Sequence, residues 1–365
     1  MTETVLHVAK VAGISGAEAH LLTVLPSLRE RGWDVRFCLL HEDEVGAWEF
    51  AARLVDTGVP VEGLRLRHDV DPLAFSRLLR VVRRHRPAIL HTHLVHADAY
   101  GLPAGKLARV PLLVSTKHGF NAFREGSAFA FGDRALSRLA QLHIAISAGL
   151  AGYLAETEGF DARSFDVVHY GIAAGTEPPP PPRQPRLVCV GRLVPIKGHE
   201  TLLRAFAEAR RFVPGLELGL AGEGPLRTRL EELSRELDLE PHVRFLGRVS
   251  PIAPAYERAA LVVVPSLGEG FGMTALEAAE RGRAVIASDI GGLREIVEDR
   301  RTGLLVPPGD PDAFAAAIVE LAANGALASE MGRAARERAL REFSLDRCAD
   351  RIDALYRSAL ARRAR

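Results

Sequence analysis

Short runs of wholly apolar residues alternate along this chain with longer stretches in which apolar residues recur at helical spacing. Val5–Ala9 reads as a first strand, and residues 17–30 place Leu21, Leu22, Leu25 and Leu28 on one helical stripe that Gly32 can stop. Further strands are predicted at Val35–Leu40, Ala88–Leu90, Leu112–Ser115, Leu142–Ile146 and Phe165–Val168. A run of five prolines, Pro178–Pro182, interrupts the pattern, which then restarts. Leu187–Val190 is a strand, and a helix over Thr201–Phe212 buries Leu202, Leu203, Phe206 and Ala209. Strands at Leu216–Ala221, Val243–Phe245, Leu261–Val264, Ala284–Ala287 and Leu304–Val306 follow. Strands apolar on both faces, separated by helices, predict mostly parallel sheets covered by helices on each side.

Consecutive prolines offer no backbone donors and favour an extended conformer, so they predict a spacer between two α/β domains. The expected organisation is a domain over 1–176, a proline-rich linker over 177–186 and a second domain over 187–344. A terminal helix over 345–365, with Ile352, Leu355, Tyr356 and Leu360 on its apolar side, can cover either domain and can cross back to the first. A length of 365 residues suits two such domains. Two in tandem predict a cleft between the carboxyl ends of their strands.

Composition narrows the partners. Lys and Arg number 47 against 46 Asp and Glu, a balance that speaks against nucleic-acid binding but leaves a local phosphate site open. Cys38, Cys189 and Cys348 lie far apart, with neither a zinc spacing nor a disulfide framework, which suits a reducing compartment. Met1–Val5 lacks the features of a signal peptide and no apolar stretch is long enough to span a bilayer, so a cytoplasmic location is expected. Phe120, Phe123, Phe129 and Phe131, with Arg80, Arg83, Arg84 and Arg86, leave peripheral contact at the inner membrane surface open; a solvated helix face is the plainer reading.

The densest chemistry follows the strand Leu261–Val264. In Pro265-Ser266-Leu267-Gly268-Glu269-Gly270-Phe271-Gly272-Met273-Thr274-Ala275-Leu276-Glu277, alternate glycines allow a tight turn and close ligand approach. A helix opening near Gly272 offers free amides to an anion. Glu269 in the loop and Glu277 one turn into the helix suit hydroxyl recognition at two depths, such as a hexose and a ribose. After the strand Leu187–Val190, the loop Gly191–Gly198 can bring Arg192 and Lys197 to one site, where two cations stabilise a departing diphosphate. Gly222-Glu223-Gly224-Pro225 is a ligand-lining turn or a plain one. Gly13-Ile14-Ser15-Gly16 opens a helix after the first strand, equally as a dinucleotide loop would, but without the full glycine spacing. His91, His93 and His96 are read as packing or acceptor-lining groups, since no carboxylate or cysteine spacing supports a metal site. His118 ends a strand, with Lys117 beside it as a source of positive field or an exposed charge.

Together these motifs resemble the retaining group 1, or family 4, glycosyltransferases of GT-B fold. The carried elements are Glu269 with Glu277, Arg192 with Lys197, Ala221-Gly222-Glu223-Gly224-Pro225, Ser288-Asp289 with Gly291-Gly292, Glu295-Ile296-Val297 and Gly303-Leu304-Leu305-Val306-Pro307. The resemblance implies two Rossmann-like domains facing a cleft. It implies Arg192 and Lys197 on the diphosphate, Glu277 on the ribose and Glu269 near the sugar hydroxyls, with amides of Phe271, Gly272 and Met273 nearby. Gly16 and Gly222 approach the donor, Arg244 and Phe245 border the base, and His118 faces the donor sugar. The implied reaction transfers a hexosyl group from a UDP- or GDP-sugar to a hydroxyl of a glycan, lipid-linked glycan or small acceptor, without cofactor or dedicated metal. Such an enzyme belongs to carbohydrate or glycolipid biosynthesis, with acceptor selection around His91–His96 and Gly119–Gly132. A nucleotide-sugar epimerase or hydrolase, or a noncatalytic sugar-nucleotide-binding protein, are the alternatives.

Two segments depart from the family. Pro-Asn-Gly is replaced by His169-Tyr170-Gly171, which keeps the turn glycine but not the asparagine's contact. Leu293-Arg294 replaces a residue-Pro pair before Glu295 and leaves Arg294 free to face the cleft.

Overall fold

A computed structural model describes residues 3–119 and 127–363, with the side chains of 127–131 left out. The chain forms two units, Met1–Gly171 with Leu345–Arg365, and Ile172–Ser344. Each is a Rossmann-like α/β domain of the kind the sequence predicts.

In the N-terminal unit the strands are β1 (Thr4–Lys10), β2 (Asp34–His41), β3 (Val61–Arg65), β4 (Ile89–His93), β5 (Leu112–Lys117), β6 (Leu142–Ala145) and β7 (Phe165–Val167). They lie in the order β3-β2-β1-β4-β5-β6-β7, with every neighbouring pair parallel. Side chains alternate between two cores, as a pleated strand requires. Val5, Ala9, Phe37 and Ile89 point to one side, and Leu6, Val8, Cys38 and Leu90 to the other. The first core is closed by α1 (Gly16–Glu30), α2 (Val45–Asp56) and the last helix, α14 (Leu345–Arg363). The second is closed by α3 (Pro72–His85) and α4 (Leu94–Ala108). β3 has no counterpart among the strands predicted from the sequence. It is an edge strand in which Leu64 alone is buried, so it has no apolar run to detect.

The terminal helix settles on the N-terminal unit. Cys348, Ile352, Leu355 and Tyr356 join the core beside Leu21, Leu25 and Leu28 of α1. Trp33 Nε1 donates to Asp353 at 2.7 Å and Arg31 donates to Asp350 at 2.7 Å.

In the C-terminal unit the strands β8 (Arg186–Val190), β9 (Glu217–Ala221), β10 (Val243–Gly247), β11 (Leu261–Val264), β12 (Ala284–Ser288) and β13 (Gly303–Val306) form a parallel sheet in the order β10-β9-β8-β11-β12-β13. The central strands β11 and β12 are buried along their whole length, which is why they stand out as apolar runs.

The proline stretch is not a free spacer. The buried Arg283 guanidinium donates to the carbonyls of Pro179, Tyr256 and Glu257 at 2.9–3.0 Å. Arg336 pairs with Glu177 at 2.9 Å, and the Gly175 amide donates to Glu280 at 2.9 Å. Residues 177–186 therefore run along the C-terminal unit, and the chain crosses between units earlier, at Gly171–Ile172, returning at Ser344–Leu345.

Candidate active site

In the C-terminal unit β8 lies between β9 and β11, so the connections leaving β8 and β11 diverge to opposite halves of the sheet. That reversal is the usual ligand position in such sheets, at the carboxyl ends of the strands. The loops there are knitted backbone to backbone. Leu193 N donates to Glu223 O at 2.9 Å, and Leu267 N donates to Ile196 O at 2.8 Å. Glycine makes this closeness possible. A Cβ on Gly222 would lie 1.8 Å from Gly191 O, and one on Gly198 would lie 2.0 Å from Pro265 O.

These loops carry the expected charged groups. Lys197 ends a short turn, Pro195–Lys197, and its ammonium forms an ion pair with Glu269. The two side chains are only 23% and 16% exposed. Ser266 Oγ also donates to Glu269, at 3.2 Å. The sequence motifs pair Lys197 with Arg192 and leave Glu269 apart from both; in the fold Lys197 and Glu269 pair with each other. Arg192 is exposed, and its guanidinium has no partner among the described residues. Glu277 sits in α10 (Met273–Glu280), where Tyr256 OH donates to it at 2.7 Å. Burial pushes the Glu277 carboxyl above its ordinary range, against the lowering effect of that hydrogen bond.

Gly272 is the N-cap of α10, in the left-handed region at φ 112°, and brings no side-chain cap to the first turn. Phe271 is buried and Met273 is the first helical residue. Thr274 Oγ1 donates to Val190 O at 3.2 Å, fastening the helix start to the end of β8. Arg244 is exposed on the edge strand β10, and Phe245 lies under the Arg227 guanidinium, 5.5 Å from the ring centre. Arg294 is exposed and pairs with Asp289.

The N-terminal unit has its own reversal, between β1 and β4. Gly16 opens α1, and the Ser15 amide before it donates to Glu18 at 3.0 Å. His118 follows β5, in a set of rings that spacing alone does not reveal. His7 Nδ1 lies 2.9 Å from His93 Nε2, and His93 Nδ1 lies 2.9 Å from His118 Nε2. His118 Nδ1 lies 2.5 Å from Tyr170 OH. His91 meets Tyr356 OH at 2.5 Å and Thr116 Oγ1 at 2.6 Å. His20 stacks on Tyr170 with ring centres 4.2 Å apart. These groups, apart from Tyr356, line a small apolar-walled cavity with Leu21 and Leu25. Burial holds His7, His20 and His118 near a pKa of about 3, and pulls His91 and His93 well below the usual value, so all five rings are neutral.

The trio His91, His93 and His96 is not the cluster that forms. His96 turns to Asp69 at 3.3 Å, and His7 takes its place because β1 pairs with β4 in a register that sets His7 beside His91. His7, His91 and His93 each bring a nitrogen within 4.8 Å of the others, a spacing a metal ion can span. Both nitrogens of His91 and of His93 are engaged in hydrogen bonds, which an ion would have to displace.

Lys117 is neither exposed nor a source of free positive field. It is 0% exposed and donates to Asp98 at 2.7 Å, to Asp133 at 3.1 Å and to Ser137 at 3.2 Å. Phe120 and Phe123 lie outside the described residues, as do the side chains of Phe129 and Phe131 and most of the Gly119–Gly132 region.

Two family models match the chain: "Glycosyltransferase Family 4" over residues 14–175 and "Glycosyl transferases group 1" over 184–324. The chain is similar to the D-inositol 3-phosphate glycosyltransferase of Nocardia farcinica, 34% identical over 63% of this chain and 58% of that protein. It is also similar to the glycogen synthase of Mycobacterium tuberculosis, 33% identical over 76% of this chain and 70% of that protein. It thus spans only part of the length of these relatives. Among solved structures, Anabaena HepE in complex with UDP and glucose shares the fold, with a TM-score of 0.86 and 21% identity over 98% of this chain and 100% of that one. Sucrose-phosphate synthase from Thermosynechococcus elongatus shares it with a TM-score of 0.80 and 23% identity, over 98% and 99%.

Proposed function

This chain belongs to the group 1 (family 4) glycosyltransferases of GT-B fold, and from that premise we propose that it transfers a hexosyl group, with retention, from a UDP- or GDP-sugar to an acceptor hydroxyl. The observation that carries this reading is the Lys197–Glu269 ion pair at the β8/β11 reversal, with Arg192, unpartnered among the described residues, and the glycine-capped start of α10 on the same pair of loops.

A donor diphosphate draws Lys197 away from Glu269. The exchange places a cation on the phosphate and frees a carboxylate to accept hydrogen bonds from the sugar's hydroxyls. Arg192 and the amides of Gly272 and Met273 add positive potential as the diphosphate departs. Glu277, held by Tyr256, takes the ribose hydroxyls, and Gly222 and the Arg244–Phe245 edge border the nucleotide. In the N-terminal unit Gly16 allows close donor approach and His118 orients the sugar. The acceptor hydroxyl attacks the anomeric carbon, the bond to the diphosphate oxygen breaks, and the acceptor proton passes to the departing phosphate. The relatives' names point to different substrates or products, D-inositol 3-phosphate in one and glycogen in the other, so the acceptor class stays broad: a glycan, a lipid-linked glycan or a small molecule.

Replacing Arg192, Lys197 or Glu277 with alanine should each lower transfer by roughly 100- to 1000-fold while leaving circular dichroism unchanged. Turnover near wild type in all three variants would remove the proposed donor site.

No single helix among the described residues is long and apolar enough to cross a membrane. Exposed Arg77, Arg80 and Arg83 on α3, near exposed Val70 and Leu73, support peripheral contact with an anionic membrane face. Co-sedimentation with anionic but not with neutral vesicles is the expected result; equal recovery with both would contradict it.

A further inference from the structure

The segment His169-Tyr170-Gly171 departs from the family's Pro-Asn-Gly, and the structure shows what the larger residue reaches. Tyr170 is 4% exposed, its ring stacks on His20, and its hydroxyl meets His118 Nδ1 at 2.5 Å. The opposite nitrogen of His118 is taken by His93, and His93 in turn meets His7. Nε2 of His7 is buried and has no partner among the described residues, so the chain of rings ends there.

We propose that Tyr170 is a positioning residue for His118, fixing both the orientation and the tautomer of its ring. The proposal rests on the transfer reading above, in which His118 orients the donor sugar. A phenol facing a neutral imidazole is the stronger donor of the two, so Tyr170 gives its proton to the hydrogen bond at Nδ1. The ring proton of His118 then resides on Nε2 and is donated to His93 Nδ1. His93 in turn carries its proton on Nε2 and donates it to His7 Nδ1. One hydroxyl thereby sets the tautomer of three rings. Turning the His118 ring over would set carbon atoms against Tyr170 and His93 and lose both hydrogen bonds, so the ring keeps one orientation, and a sugar hydroxyl reaches its Nε2 by taking the place of His93. An asparagine at this position lacks the length and the aromatic face that stacks on His20.

Tyr170→Phe keeps the ring and its stacking and removes only the hydroxyl. The expected result is a kcat lowered about tenfold with donor KM within about twofold, because orientation and not binding is lost. In protein carrying nitrogen-15 histidine, the His118 ring signals, assigned with His118→Asn, should report one Nε2-protonated tautomer in the native chain and a mixture in Tyr170→Phe. In a His118→Asn background, Tyr170→Phe should have no further effect on kcat. Unchanged ring signals, or losses that simply add in the double variant, would overturn the proposal. If native protein transfers no sugar from any donor, the transfer reading fails, and the ring signals alone then decide whether Tyr170 fixes His118.

Discussion

Five histidine rings in the N-terminal unit hydrogen-bond or stack while staying neutral, and this has a consequence for stability. His7, His20 and His118 hold pKa values of about 3 in the folded chain, against about 6.5 when unfolded. Between those values the unfolded chain binds protons that the folded chain refuses. Stability is therefore level above pH 6.5 and falls as pH drops through the window, by up to about 1.4 kcal/mol per pH unit for each ring. Both tryptophans, Trp33 and Trp48, belong to this unit, so their fluorescence follows its unfolding alone. The melting midpoint should be constant from pH 8 to 7 and decline steadily from 6 to 4.5; a flat profile would contradict neutral burial. Lys117 makes the converse point. Lys117→Met strands two buried carboxylates and should cost about 3–5 kcal/mol, read as a shift in the same fluorescence transition. Neither feature is visible in one dimension. Lys117 sits beside His118 in a polar-looking stretch, and its partners Asp98 and Asp133 come from other elements. His7 looks like one polar residue in an apolar strand until β1 is paired with β4.

Elements were most legible where both faces are covered. The central strands β11 and β12 announce themselves as apolar runs, whereas edge strand β3 does not. The site loops were legible for a different reason, since their glycines are demanded by backbone packing. Gly222 has φ +155° and no room for a Cβ beside Gly191 O, so Gly222→Ala should destabilise the C-terminal unit by about 2–3 kcal/mol. Hydrogen exchange of the β8 and β9 amides is the measurement, and unchanged protection would show that the loops relax more easily than their geometry implies. The Lys197–Glu269 pair was not legible as a pair. Each residue was identified from its own motif, and only the fold of the two loops brings them into contact.

At the scale of the molecule, sequence order misleads about which parts support each other. The last helix, α14, follows the C-terminal unit in the chain but completes the N-terminal core, through Ile352, Leu355 and Tyr356. Five prolines look like the border between units, yet Arg283 and Arg336 bind that segment to the C-terminal unit. Tyr356→Ala should accordingly lower the tryptophan-monitored transition by about 3–5 kcal/mol while leaving exchange protection across residues 172–344 intact. Loss of protection in both units would contradict this division.

In the proposed donor site, the loops after β8 and β11 bind a nucleoside diphosphate sugar through Lys197 and Glu277. Calorimetric titration of UDP-glucose, UDP-N-acetylglucosamine, UDP-galactose and GDP-mannose into the native chain, Lys197→Ala and Glu277→Ala tests it most directly. At least one donor should bind the native chain saturably and bind each variant roughly 10- to 100-fold more weakly. Equal affinity in all three proteins, or no binding of any donor to the native chain, would rule this donor site out.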